Sequence, residues 1–293
     1  MNFNETKMFR FKFTLLKSLR QTCTRIPRTL SRRDLPLKYQ KREITSLSNG
    51  LQPASAHISA FQKLLGVDNV LTDSFDIEKY TVDWTRVFRG GSVVCLPCST
   101  EDVSNILRYC NKNKIGVVPQ GGNTGLVGGS VGLSGENGDQ LIISMQKMKT
   151  IQSIEDSVLI CDAGCILETL NTACAEKGYI VPLDLGAKGA CMIGGNVATN
   201  AGGLRVIRYG TLHGNVLGLE VVQADGTVLD MLRTLKKDNC GYHLPHLFIG
   251  SEGTLGIITK VAVSLALKPN STAVVWVKVS YVSSVAPDPL PCD

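Results

Sequence analysis

The chain contains neither a P-loop nor a G-x-G-x-x-G anywhere in its 293 residues. A P-loop needs Gly-Lys followed by Ser or Thr, and Lys188 is followed by Gly189. The second pattern would mark the doubly wound dinucleotide fold. No stretch is long and apolar enough for a transmembrane helix, and no uninterrupted apolar segment near the start makes a secretory h-region. No repeat of fixed period and no low-complexity tract interrupts the chain. Both usual nucleotide folds, a membrane span and a repeat architecture are thereby excluded.

Acidic residues are scarce at one end. Residues 1–43 hold 12 Lys/Arg against Glu5, Asp34 and Glu43, a net of +9, so the total of +6 leaves −3 for the rest. A nucleic-acid binder would carry positive charge on its folded surface, so no nucleic-acid partner is expected. Met8-Phe-Arg-Phe-Lys-Phe-Thr-Leu-Leu-Lys-Ser-Leu-Arg20 mixes apolar and basic residues, and Arg25, Arg28, Arg32 and Arg33 follow. An Arg-rich, acid-poor amphipathic start reads as a transit peptide for the mitochondrial matrix; a disordered basic tail is the alternative.

Ten cysteines fall at irregular intervals, several inside apolar segments (Cys110, Cys161, Cys174). There they read as small buried hydrophobes in a reducing compartment rather than as a disulfide scaffold. Cys95-Leu-Pro-Cys98 is a C-x-x-C pair at a strand end, and no second pair completes a zinc site. It is read as structural. Histidine is limited to His57, His213, His243 and His246; the last two have a possible metal spacing, but no third ligand is evident, and no metal is expected.

What the chain does have is glycine in two long runs. Pro119-Gln-Gly-Gly-Asn-Thr-Gly-Leu-Val-Gly-Gly-Ser130 has no ionisable side chain. Gly186-Ala-Lys-Gly-Ala-Cys-Met-Ile-Gly-Gly-Asn-Val-Ala-Thr-Asn-Ala-Gly-Gly203 has one charged side chain, Lys188. Such loops hold phosphate through backbone N–H groups, because glycine leaves no Cβ in a ligand's way. Two of them suggest one long anionic ligand such as a dinucleotide; tight turns without a ligand are the alternative.

Periodicity predicts a helix over 58–65 stopped by Gly66, a strand over 92–97, and a helix capped by Ser99/Thr100 with Val103, Ile106, Leu107 and Cys110 on one face. A strand over 115–118 leads into the first glycine run. A second strand–helix–strand unit follows at 158–161, 166–177 and 179–181, then a hairpin over 218–230 turning at Asp225-Gly226. A glycine-punctuated strand region covers 247–259 and continues over 261–266. The order reads as an α+β fold in which two small strand–helix–strand layers clamp the ligand, with antiparallel hairpins added.

These residues resemble the flavoprotein family that includes vanillyl-alcohol oxidase, D-lactate dehydrogenase and glycolate oxidase, and within it the D-2-hydroxyglutarate branch. The match is carried by residues 119–130, Pro182-Leu-Asp-Leu-Gly-Ala-Lys-Gly189, residues 193–203, Arg205-Val-Ile-Arg-Tyr-Gly210, Leu212-His-Gly214 and Gly250-Ser-Glu-Gly-Thr-Leu-Gly256. The resemblance implies a vanillyl-alcohol oxidase type FAD-binding domain over 51–268, after a presequence and linker over 1–50. It implies FAD held by Pro119, Gly121, Gly122, Asn123, Thr124, Gly125, Gly128, Gly129 and Ser130 at the pyrophosphate. Gly186, Gly194, Gly195, Asn196, Thr199, Gly202 and Gly203 would lie along the flavin side, and Glu252, Gly253 and Ile257 toward the adenosine end. The implied reaction is oxidation of a small 2-hydroxy acid, D-2-hydroxyglutarate to 2-oxoglutarate, with hydride passing to flavin N5 and electrons leaving to an acceptor such as an electron-transfer flavoprotein.

Some positions depart from the family. Cys240 and His243 stand where relatives tend to have Thr and Asp, and Cys98 where a basic residue is usual. Relatives continue into a substrate domain; here residues 269–293 are expected to be a remnant of its start, Val274-Val-Trp-Val-Lys-Val279, and a divergent proline-rich tail. The substrate domain is therefore expected to be essentially absent, and an FAD-binding module without activity is the alternative function. His213 is read as a structural hydrogen-bonding residue. Arg205 and Arg208 are open between gripping a substrate carboxylate and tying their loop to the sheet.

Overall fold

The computed structural model describes residues 54–132, 140–273 and 275. The presequence expected over 1–50 and the strand expected at 274–279, Val275 apart, lie outside the described residues.

The first sheet has four strands. Helix α1 (Ile58–Leu65) ends at Gly66, whose φ of +85° a residue with a Cβ would resist. Strand β1 (Val70–Leu71) follows, then α2 (Ser74–Thr81), where the Asp73 carboxylate accepts from Phe75 N at 2.9 Å. Strand β2 (Val93–Cys95) leads to α3 (Thr100–Asn113). This helix opens on a capping box: Ser99 Oγ accepts from Asp102 N, and Asp102 accepts from Ser99 N. Its apolar face, Val103, Ile106, Leu107 and Cys110, is buried as the spacing predicts. Strands β3 (Val117–Gln120) and β4 (Leu141–Ser144) complete a sheet of order β1-β2-β4-β3, in which β2, β4 and β3 run parallel.

Two expectations change here. β4 lies between β2 and β3, so the strand–helix–strand unit spans a strand that pattern reading passed over. β3 begins at Val117 rather than Ile115, because Lys114 turns left-handed and Ile115 N still closes on Cys110 O at 2.9 Å.

The second sheet is antiparallel with five strands. β5 (Ile151–Glu155) and β6 (Val158–Asp162) form a hairpin, then α4 (Leu167–Glu176) leads to β7 (Tyr179–Ile180). After α5 (Ile193–Ala198), α6 (Val206–Tyr209) and α7 (Leu212–Asn215) come β8 (Val216–Val222) and β9 (Val228–Met231). The β8–β9 turn holds Asp225-Gly226, with the Asp225 carboxylate accepting from Thr227 N at 2.8 Å. Helix α8 (Pro245–Phe248), β10 (Ile257–Ser264) and β11 (Ala266–Leu267) end the described elements. The strand order is β5-β6-β10-β8-β9, and β11 pairs with β7 apart from it.

The second strand–helix–strand layer is therefore not one layer. β6 takes β5 and β10 as antiparallel neighbours, while the two-residue β7 reaches only β11. The region from 247 to 256 is helix and turn, because Gly250, Glu252 and Gly253 all have positive φ, and the extended strand starts at Ile257. Within the second glycine run, Ile193–Ala198 is helical rather than loop.

One buried cluster fixes the two sheets together. Thr100 Oγ1, at the start of α3, donates to Glu220 Oε1 of β8 at 2.5 Å. Lys260 of β10 donates to both Glu220 oxygens at 2.7 and 2.8 Å, and Thr259 Oγ1 adds 2.9 Å. Burial alone would push the Glu220 carboxyl up; the Lys260 ammonium and the two threonine hydroxyls outweigh it and hold it below its ordinary value.

Candidate cofactor cleft

A cleft of about 400 Å³ opens between the carboxyl ends of the parallel strands and the antiparallel sheet. Ligands of open parallel sheets collect at that end. The first glycine run leaves β3 there, and Met145 enters from the end of β4. Ala163, beyond β6, and Ile257 and Ile258 of β10 supply apolar surface opposite. Glu252 is the one acidic or basic side chain in the lining, and no lysine, arginine or histidine among the described residues borders it.

The first run is held open by its own side chains. Asn123, at φ +52°, donates through Nδ2 to Lys79 O (3.1 Å) and Val82 O (2.7 Å) and accepts from Ser130 Oγ at 2.7 Å. Gln120 Nε2 donates to Tyr80 O and Ser130 O. These bonds pin the run to the end of α2 and consume the polar side chains of Asn123 and Ser130. The backbone is the reverse. Among the described residues, no N–H of residues 122–130 donates a hydrogen bond to the protein. These residues are half-buried or exposed, and most of them border the cleft, so their N–H groups are open to the acceptors of a bound anion.

The second run works differently. Ala190 N and Cys191 N donate to Ala187 O, Ile193 N to Cys165 O and Gly194 N to Ala163 O. Thr199 Oγ1 folds back on Gly195 O at 2.9 Å, and Asn196 Nδ2 lies 3.5 Å from Cys191 Sγ. Most of the run is thus a plinth that satisfies itself. Gly122 meets it closely: a Cβ there would lie 1.9 Å from Ala190 O. Burial pushes the Cys191 thiol up, so it faces the cleft as a neutral small hydrophobe.

Of the expected site residues, Pro119, Gly121, Gly122, Asn123, Thr124, Gly125, Gly129, Ser130, Gly186, Gly194, Gly195, Asn196, Thr199, Glu252, Gly253 and Ile257 border this one cleft. Gly128, Gly202 and Gly203 do not. Gly128 sits over Phe88, where a Cβ would come within 2.5 Å of the ring, and a Cβ on Gly203 would come within 2.2 Å of Asp184 O; both have positive φ. The residues that pattern reading missed, among them Gln120, Met145, Ala163, Leu185 and Met192, are ordinary strand-end and core types that carry no separate signal.

The open alternatives resolve outside the cleft. Arg205 Nη1 donates to Val181 O (2.6 Å), Leu183 O and Asn171 Oδ1, so it ties its loop to the chain beneath. Arg208 lies over the Tyr209 ring. His213 makes a ring contact with His246 in place of the expected hydrogen bond. Burial, then the two neighbouring rings, hold His246 below the ordinary value. Cys95 is buried and Cys98 exposed, so the C-x-x-C pair does not act together; all eight described cysteines are free. Among the described residues no helix is long and apolar enough to cross a membrane.

The cleft fits FAD on its own geometry: unengaged N–H groups for the phosphates, apolar walls for flat rings, and open space above Gly125 and Gly186, where a side chain would otherwise stand. A family model described as "FAD binding domain" matches residues 91–232. The "Probable D-2-hydroxyglutarate dehydrogenase, mitochondrial" of Oryza sativa subsp. indica is 51% identical over 84% of this chain and 45% of its own length. The "D-2-hydroxyglutarate dehydrogenase, mitochondrial" of Arabidopsis thaliana is 54% identical over 76% of this chain and 40% of its own. The chain thus spans less than half the length of these curated relatives. Among solved structures, an alkyldihydroxyacetonephosphate synthase superposes with a TM-score of 0.66 at 20% identity, over 76% of this chain and 42% of that one, which shows the shared fold. Residues 91–232 thus match an FAD binding domain, the fold is the one shared with the alkyldihydroxyacetonephosphate synthase, and the chain is similar to mitochondrial D-2-hydroxyglutarate dehydrogenases over less than half of their length.

Proposed function

We propose that this chain supplies the FAD-holding part of a mitochondrial D-2-hydroxyglutarate dehydrogenase, with residues 51–268 as the FAD-binding domain and residues 1–50 as matrix presequence and linker. The observation that carries this reading is the run 122–130, whose N–H groups take no acceptor among the described residues and most of which borders a cleft with no basic side chain. Those groups would receive the pyrophosphate, the second glycine run would lie along the flavin, and residues 252–257 would lie toward the adenosine. The chemistry FAD would supply there is acceptance of a hydride at N5 and passage of the electrons to a carrier such as an electron-transfer flavoprotein. The substrate would be D-2-hydroxyglutarate and the product 2-oxoglutarate.

A second reading, an FAD-binding module without turnover, is favoured by the same lining. A dicarboxylate substrate calls for paired cationic donors, and among the described residues the cleft offers one carboxylate and no cation. Anaerobic addition of D-2-hydroxyglutarate to the FAD-loaded chain separates the two. Bleaching of the flavin band supports the dehydrogenase reading for this chain; an oxidised spectrum that persists supports the module.

A further inference from the structure

Asn196 brings to the cleft a buried amide whose hydrogen-bonding capacity the chain leaves largely unused. It stands in α5, only 6% exposed, and borders the cleft beside Cys191. The two glycine runs meet here, since a Cβ on Gly121 would lie 3.6 Å from Gly195 Cα. Asparagine is a poorer helix former than alanine, so the helix itself does not call for it. Its backbone is fully engaged: Asn196 N donates to Met192 O at 3.0 Å, and Asn196 O accepts from Ala201 N at 2.9 Å.

The side chain is not. An asparagine amide carries two N–H donors and a carbonyl acceptor. Among the described residues Asn196 Nδ2 makes one contact, 3.5 Å to Cys191 Sγ, and Oδ1 accepts no hydrogen bond. Burial keeps that thiol neutral, and its sulfur is a weak acceptor. Turning the amide over would give Oδ1 the thiol hydrogen and leave both N–H groups without a partner. Neighbouring polar side chains of the lining have spent their donors. Gln120 and Asn123 give both amide hydrogens to backbone carbonyls, and Ser130 and Thr199 give their hydroxyl hydrogens to Asn123 Oδ1 and Gly195 O. A buried amide left with a donor and an acceptor is costly unless something else completes it.

We propose, resting on the FAD reading above, that the Asn196 amide is the specificity group for the flavin end of the cofactor and pairs with the imide edge of its ring. That edge sets a ring N–H between two carbonyl oxygens. Oδ1 would take the N–H while Nδ2 donates to a carbonyl, the same paired use of donor and acceptor by which an asparagine amide reads a nucleic-acid base. The adenine of FAD offers a comparable edge, so the test compares ligands with and without the flavin.

N196L keeps the side-chain volume and removes both hydrogen-bonding groups. Wild type and N196L, each as the cofactor-free full chain, are titrated with FAD by flavin fluorescence and with ADP by calorimetry, and both are melted. The proposal expects FAD binding weakened by about tenfold to a hundredfold, the loss of one paired contact in a buried site, with ADP binding unchanged. It also expects the cofactor-free N196L chain to melt no lower than wild type, because an apolar group of the same shape relieves an unpaired amide. FAD binding that N196L leaves intact overturns the inference alone. So does an equal loss for FAD and ADP, or a lowered melting temperature, which is what a role confined to the fold would give. A wild-type chain that takes up no FAD overturns the FAD reading, and this inference with it.

Discussion

At the level of single residues, the glycines divide by what stands over them. A Cβ on Gly122 would meet Ala190 O at 1.9 Å and its carbonyl carbon at 2.8 Å, whereas one on Gly125 meets nothing within 4 Å. G122A is therefore expected to cost about 1–3 kcal/mol, the usual range for forced overpacking, and to lose FAD with the displaced loop. G125A should leave the fold's stability unchanged. Thermal melting without cofactor checks both, and equal melting temperatures for the two variants would contradict the contact geometry. Sequence alone marked both glycines and treated them alike. Which one faces a ligand and which faces a backbone depends on Ala190, a residue of the other glycine run that only the fold brings near. Asn123 and Ser130 show the same limit: both border the cleft, yet their side chains are spent on Lys79, Val82 and each other.

At the level of elements, α3 was legible because its cap and apolar stripe are local. The partners it acts through were not. Its first turn reaches β8 and β10 through Thr100, Glu220 and Lys260, and Ser104 Oγ donates to Gly226 O at 2.5 Å in the β8–β9 turn. Similarly, β4 is an unremarkable run of four apolar or small residues, and nothing in its pattern says that it separates β2 from β3. The Glu220 cluster gives a prediction with a definite sign. Its folded carboxyl titrates below the ordinary 4.5, so its contribution is full above the unfolded value and is lost as pH falls through the folded one. E220Q should destabilise the chain by roughly 1–3 kcal/mol near neutral pH, short of the full cost of breaking a buried pair because Lys260 is partly exposed. The gap between wild type and E220Q should close on acidification. Melting curves from neutral to acid pH test this, and a gap that stays constant through the acid range would contradict the role assigned to the ion pair.

For the whole molecule, the two sheets and the cleft between them amount to an anion cradle built from backbone dipoles rather than side-chain charge. The place of the cradle was legible in the two glycine runs and in the lack of any ionisable side chain in the first. Its depth was not, because Met145, Ala163 and Ile258 look like any other core residues until the strands end beside one another. The measurement that tests this most directly is the visible spectrum of the full chain after incubation with FAD and removal of free cofactor. The account predicts a yellow protein with one flavin per chain. A protein that elutes colourless while folded would contradict it.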